Sequence, residues 1–89
     1  MNKYERMPER VLDLHGYTLK EAEQALISIV GEAAYTHIRV ITGKGTFREK
    51  GPVLKNFVRD FFLTRGIHYI PSKPKDGGEG AYEVFFTKI

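Results

Sequence analysis

The sequence predicts a two-layer α/β sandwich, a four-stranded mixed sheet with both helices on one face. Three observations carry that reading. Short β-prone runs alternate with longer stretches at helical spacing, in the order strand, helix, strand, helix, strand, strand. Strand-helix-strand units cross over right-handed, so the first three strands should run parallel and the fourth should return antiparallel. Two helices suffice to cover one sheet face, and 89 residues leave room for one core only.

Taken in order, residues 1–10 mix charged side chains with Met7-Pro8, show no periodicity, and read as a flexible arm or linker remnant; the domain proper is expected over 11–89. Val11-Leu12-Asp13-Leu14 is the first strand. Thr18 and Glu21 form a capping box that opens a helix over 18–34, whose inward face is Leu19, Ala22, Leu26, Ile29, Val30 and Ala33. Gly31 inside it costs up to ~1 kcal/mol relative to alanine, which predicts a loose last turn. His37 to Thr42 is the second strand. Gly51-Pro52 opens the second helix, with an apolar face of Val53, Leu54, Phe57, Val58, Phe61 and Phe62, and Arg65-Gly66 ends it. Ile67 to Ile70 is the third strand, Pro71 to Gly80 a loop, and Ala81 to Thr87 the fourth strand.

The composition excludes several classes. With no cysteine, disulfides and thiolate metal sites are absent. No apolar run approaches the ~18 residues that span a bilayer, and the first residues lack a signal-peptide core, so a cytoplasmic protein with no membrane partner is expected. The net charge of +3 is modest, but its distribution is not even. Lys44, Arg48, Lys50, Lys55 and Arg59 face Glu49 as the one acid between residues 43 and 59, whereas the first helix is net negative. Charge gathered in this way attracts a polyanion.

Parallel strands put their carboxyl ends on one edge, where open α/β sheets bind ligands. The loops leaving that edge are His15-Gly16-Tyr17, Gly43 to Lys50, and Pro71 to Gly80, which hold the glycine-dense segments of the chain. Two of them feed helix N-termini, whose free N–H groups favour anions. Gly43 and Gly45 let backbone approach a phosphate while Lys44 supplies charge; the glycine spacing is not that of a Walker A loop. Asp13 and His15, two apart on an extended segment, leave the same side. The carboxylate can orient the imidazole, keep it protonated against a phosphate, or join it on a divalent ion; alternatively the Asp caps the turn and the His bonds a backbone carbonyl. His37 and His68 read as structural or surface residues, and no zinc site is recognisable.

Leu12-Asp13-Leu14-His15-Gly16, Ile41-Thr42-Gly43-Lys44-Gly45, Gly51-Pro52-Val53-Leu54-Lys55 and Gly77-Gly78-Glu79-Gly80-Ala81 together resemble the Smr (small MutS-related) domain, in family order across residues 11 to 87. The chain is similar to the stand-alone bacterial type. The resemblance implies sheet order 1-2-4-3, as in the C-terminal domain of translation initiation factor 3. It further implies nucleic-acid binding, with DNA-nicking or RNA-cleaving endonuclease activity in several members. It places catalysis on the Leu-Asp-x-His motif, here Leu12, Asp13 and His15, and binding on Thr42 to Gly45. Two departures stand out. Thr42 occupies a position where many members have His, and Lys55 one where Arg is frequent, a point charge in place of a bidentate clamp.

The resulting expectation is a nucleic-acid-binding domain with endonuclease activity. Asp13 and His15 are the catalytic candidates. Gly16, Thr42, Gly43, Lys44, Gly45, Arg48, Lys50, Lys55, Gly77, Gly78 and Gly80 are the binding candidates. These residues fix no cofactor, and a divalent metal such as Mg is an option. DNA or RNA is the expected partner, the ribosome a further one, and the chain is expected to be a monomer. The rival reading is a non-catalytic module for branched DNA, structured RNA or ribosomes; a small phosphate-bearing ligand at the same edge is the third.

Overall fold

The computed structural model describes residues 7–43, 53–76 and 78–86. Its elements are β1 (Arg10–Asp13), α1 (Leu19–Glu32), β2 (His37–Ile41), α2 (Val53–Thr64), β3 (His68–Pro71), two 3-10 turns (Pro74–Asp76 and Gly78–Gly80) and β4 (Ala81–Phe85). The sheet order is β1-β2-β4-β3, with β1 parallel to β2 and β4 antiparallel to both its neighbours. Strands β1, β2 and β3 therefore point one way, and the architecture is the one the sequence predicts. No described helix is long and apolar enough to cross a membrane.

Local chemistry explains the element ends. At the start of α1 the Glu21 N–H donates to the Thr18 hydroxyl at 3.1 Å, and the Thr18 N–H donates to the Glu21 carboxylate at 2.9 Å. Two donors that the helix leaves unpaired are thereby satisfied. Replacing Thr18 by Ala is expected to lower unfolding free energy by about 1 kcal/mol, read as a shifted urea midpoint at constant slope. At the other end α1 stops at Glu32, short of the expected 34, because Ala33 turns left-handed (φ 52°) and donates its N–H to the Val30 carbonyl. The loose end thus falls just beyond Gly31. Helix α2 closes as the sequence indicates. Gly66 at φ 67° donates to Leu63 and Ile67 donates to Phe62, the paired bonds of a Schellman motif.

Several strand ends differ from expectation. Strand β1 ends at Asp13 and β2 at Ile41, each one residue early, and β3 starts at His68, one residue late. Arg10 begins β1, and Glu9 is tied to the sheet: its N–H donates to the His37 carbonyl, and its carboxylate accepts from Thr36 and His37. These two residues belong to the sheet, and the arm is shorter than expected. Strand β3 runs one residue further, through Pro71, which an edge strand tolerates because its missing N–H faces no neighbour. Strand β4 ends at Phe85, where Phe86 donates to the Thr36 carbonyl outside the ladder. The Gly51-Pro52 opening expected for α2 lies outside the described residues.

The core lies between the helices and one sheet face. Ala22, Leu26 and Ile29 of α1 and Val58, Phe61 and Phe62 of α2 pack on Leu14, Ile38, Val40, Tyr82 and Val84. Leu19 and Ala33, expected on the inward face of α1, are exposed because they stand at its first turn and its cap. The opposite sheet face is not simply polar. His37, Arg39 and Glu83 share it, and Glu83 is only 8% exposed. Its carboxylate accepts from Arg39 Nε at 2.7 Å, meets His37 Nε2 at 2.6 Å, and accepts from the Ser72 hydroxyl; Arg39 also reaches Asp76 at 3.6 Å. The His37 ring stacks on Phe85 at 4.7 Å, so this histidine is structural, as the sequence suggests.

Candidate nucleic-acid interface

The turn from β1 to α1 is fixed by short-range bonds. The Leu14 N–H donates to the Ile41 carbonyl at 2.7 Å and its side chain is fully buried, which holds the strand end against β2. One residue earlier, the Asp13 carboxylate accepts from the His15 N–H at 3.1 Å, the geometry of an Asx turn. The same oxygen, Oδ1, lies 2.7 Å from His15 Nδ1. Gly16 at φ 81° then allows the chain to reverse, and Tyr17 donates to the Leu14 carbonyl before Thr18 caps the helix. Asp13 thus caps the turn and also orients the ring, two of its four expected roles. His15 bonds the carboxylate, not a carbonyl.

The His15 side chain is 72% exposed, and Nε2 has no partner among the described residues. Hydrogen bonds from the His15 ring, then from its backbone N–H, hold the Asp13 carboxyl below its ordinary range. With Asp13 accepting at Nδ1, the neutral ring carries its lone pair at Nε2, facing solvent. The imidazolium carries a proton there instead. Either form places proton chemistry at the surface.

The end of β2 packs beside this turn. Thr42 is 5% exposed; its N–H and that of Gly43 both donate to the Gly80 carbonyl, at 2.8 and 3.0 Å. The Thr42 hydroxyl donates to the carbonyls of Gly43 and Gly80, at 2.9 and 3.3 Å. Thr42 and Gly80, expected among the binding residues, are therefore buried partners of each other. They clip the β2 end to the entry of β4 and shape the edge, and the Thr42 hydroxyl is not turned to a ligand. Gly43, at φ 78°, takes a conformation that L side chains rarely adopt, and a Cβ there would lie 3.5 Å from that of His15. Gly43 thus stands directly against His15.

Lys44, Gly45, Arg48, Lys50 and Gly77 lie outside the described residues. Lys55 and Gly78 do not join the Asp13–His15 pair. They line a separate cleft further along the same edge, with Arg59, Tyr69, Pro71, Ser72, Pro74, Ala81 and Tyr82. Of these, Tyr69, Ser72 and Tyr82 were not singled out from sequence, and Arg59 entered only through its charge. The spacing of Lys55 and Arg59, four apart on one helix face, is the signal that pairs them. Among the described residues no three His, Cys, Asp or Glu side chains gather as a metal site. Asp13 and His15 supply two donors, fewer than the three of a catalytic zinc centre.

Comparison with known proteins shows the family of the chain. No curated protein matches the chain in sequence. The Smr domain of Thermus thermophilus MutS2 superposes with a TM-score of 0.76 at 24% identity, covering 89% of this chain and 99% of that one. The B3BP Smr domain matches with a TM-score of 0.69 at 25% identity, covering 90% of this chain and 80% of that one. The family model for the Smr domain matches residues 12–87, nearly the full length. The chain belongs to the Smr domain family, whose members are nucleic-acid-binding modules.

Proposed function

We propose that this domain binds DNA or RNA along the carboxyl edge of its sheet and cleaves a phosphodiester there, with His15 as the catalytic base and Asp13 holding its ring in place. The observation that carries the reading is the His15 ring, oriented by Asp13 at 2.7 Å yet presenting Nε2 to solvent beside Gly43. On RNA, Nε2 takes the proton of the 2′-hydroxyl as O2′ attacks phosphorus. The P–O5′ bond breaks, and the departing oxygen takes a proton from solvent. On DNA, water stands in for the 2′-hydroxyl. Lys44 and the N–H groups of the glycine loop grip the phosphate and stabilise its growing charge. Gly16, Gly43, Gly45, Arg48 and Lys50 complete the binding edge.

A second reading, a module that binds without cutting, draws on Thr42. Where many family members carry a further imidazole, this chain has a buried hydroxyl already bonded to two carbonyls. One experiment separates the two: purified protein on matched DNA and RNA strands, branched and linear, with and without a chelator. Cleavage supports the first reading, and saturable binding with intact strands supports the second. Loss of cleavage on chelation would assign the activity to a metal. In either case Lys44→Ala should weaken binding and flatten the plot of log affinity against log salt by about 0.9 on duplex DNA. An unchanged slope would remove Lys44 from the interface.

A further inference from the structure

The cleft between α2 and the β3–β4 end of the sheet has a volume of about 480 Å³ and two kinds of wall. One is apolar and aromatic, lined by Tyr69, Tyr82, Pro71, Pro74 and Ala81. The two tyrosine rings are set edge to face at 5.3 Å, and both pack on Phe62, at 5.5 and 6.1 Å, so their positions are fixed by the core. The other wall is cationic. Lys55 and Arg59 stand one turn apart on α2. Lys55 makes no ion pair among the described residues, and Arg59 meets only the exposed Asp60, at 3.5 Å. The backbone of Lys55 is tied to the pocket floor, its carbonyl accepting from the Tyr82 hydroxyl at 3.4 Å.

We propose that this cleft takes one unpaired nucleotide of the bound strand, its base against Tyr69 and the prolines and its phosphate on Lys55 and Arg59. The inference rests on the reading of this edge as the nucleic-acid interface and adds the form of the substrate. A nucleotide joins a flat aromatic group to an anion, which is the pairing of walls the cleft offers. Its position fits as well. The cleft opens at the β4 and β3 ends, two to three strands along the edge from Asp13, or about 10–14 Å at the usual strand spacing. A base held there must be unstacked from its neighbours, so the preferred substrate is single-stranded or carries a flap, bulge or gap. Base identity should matter little. Ser72, the one side-chain hydroxyl besides the tyrosines, donates to Glu83, leaving stacking as the main contact.

The test compares a short single strand with the matched blunt duplex, titrated into the full chain and followed by amide shifts and by equilibrium affinity. Expected results are shifts at Tyr69, Ala81 and Tyr82 with the single strand, and a roughly tenfold loss of single-strand affinity in Tyr69→Leu. Tyr69→Phe, which keeps the aromatic face, should retain it. Should the Leu variant fail to fold, the wild-type shifts decide alone. Shifts confined to His15, Gly16 and Gly43 would overturn the cleft proposal while leaving the edge reading intact. Equal loss in Tyr69→Leu for strand and duplex would also overturn it. Absence of any nucleic-acid binding would overturn both.

Discussion

Substituting His15 by Ala should lower phosphodiester cleavage at least ~10²-fold, the low end for loss of a general acid or base. The fold should not notice the change. The ring is 72% exposed and packs on no core residue, and the turn keeps the backbone N–H bond of residue 15 to Asp13. Activity lost at an unchanged unfolding midpoint is therefore chemistry, not collapse. On the proposed mechanism Asp13 acts one step back, as a positioning residue. Asp13→Asn removes the charge that orients Nδ1, and its signature should be an altered pH–rate profile as well as a slower rate. The sign follows from its depressed pKa: Asp13 stays ionised through neutral pH and loses its hold on the ring only as the solution becomes acid. Full activity in a rigorously purified His15→Ala sample would end the catalytic assignment and leave the binding-module reading.

What was legible in the sequence follows the range of the interactions. The Asp13–His15 pair is a contact between residues two apart, and the Thr18–Glu21 box one between residues three apart, so both could be read from the chain. The parallel direction of β1 to β3 follows from crossover handedness, and that alone gathers the glycine loops on one edge. The fate of Thr42 depends on a carbonyl 38 positions away and could not be read. Nor could the cleft, because its walls come from α2, β3, the 3-10 turns and β4. His37 shows the same limit. No acid adjoins it in sequence, yet the β2–β4 pairing sets Arg39 opposite Glu83 and brings the carboxylate 46 positions on to its ring. Sheet order 1-2-4-3 came from the family resemblance; without it, β2 beside β4 was not available to reason from.

That same pairing carries the largest stability effect expected of a single polar residue here. Glu83→Gln should cost about 3 kcal/mol at neutral pH, the low end for breaking a buried ion pair. The low end applies because the side chains of Glu83, His37 and Arg39 keep 11–14% of their surface exposed. The cost arises from what remains: among the described residues Arg39 would keep only Asp76 at 3.6 Å, and the groups on the lost carboxylate would face a neutral amide. In a domain of this size that corresponds to a fall in Tm of roughly 12–24 °C. Burial by itself would raise the Glu83 pKa, but hydrogen bonds from Arg39, Ser72 and His37 outweigh it and hold the group below its ordinary range. A folded-state pKa below the unfolded one stabilises the protein above the unfolded value, about 4.3, and that contribution disappears as pH falls through the folded value. Wild type should therefore lose stability with acid faster than the variant, and the gap between their urea midpoints should begin to narrow below about pH 4. A gap that stays constant from pH 7 to pH 3 would locate the role of Glu83 in packing, with its charge making no net contribution.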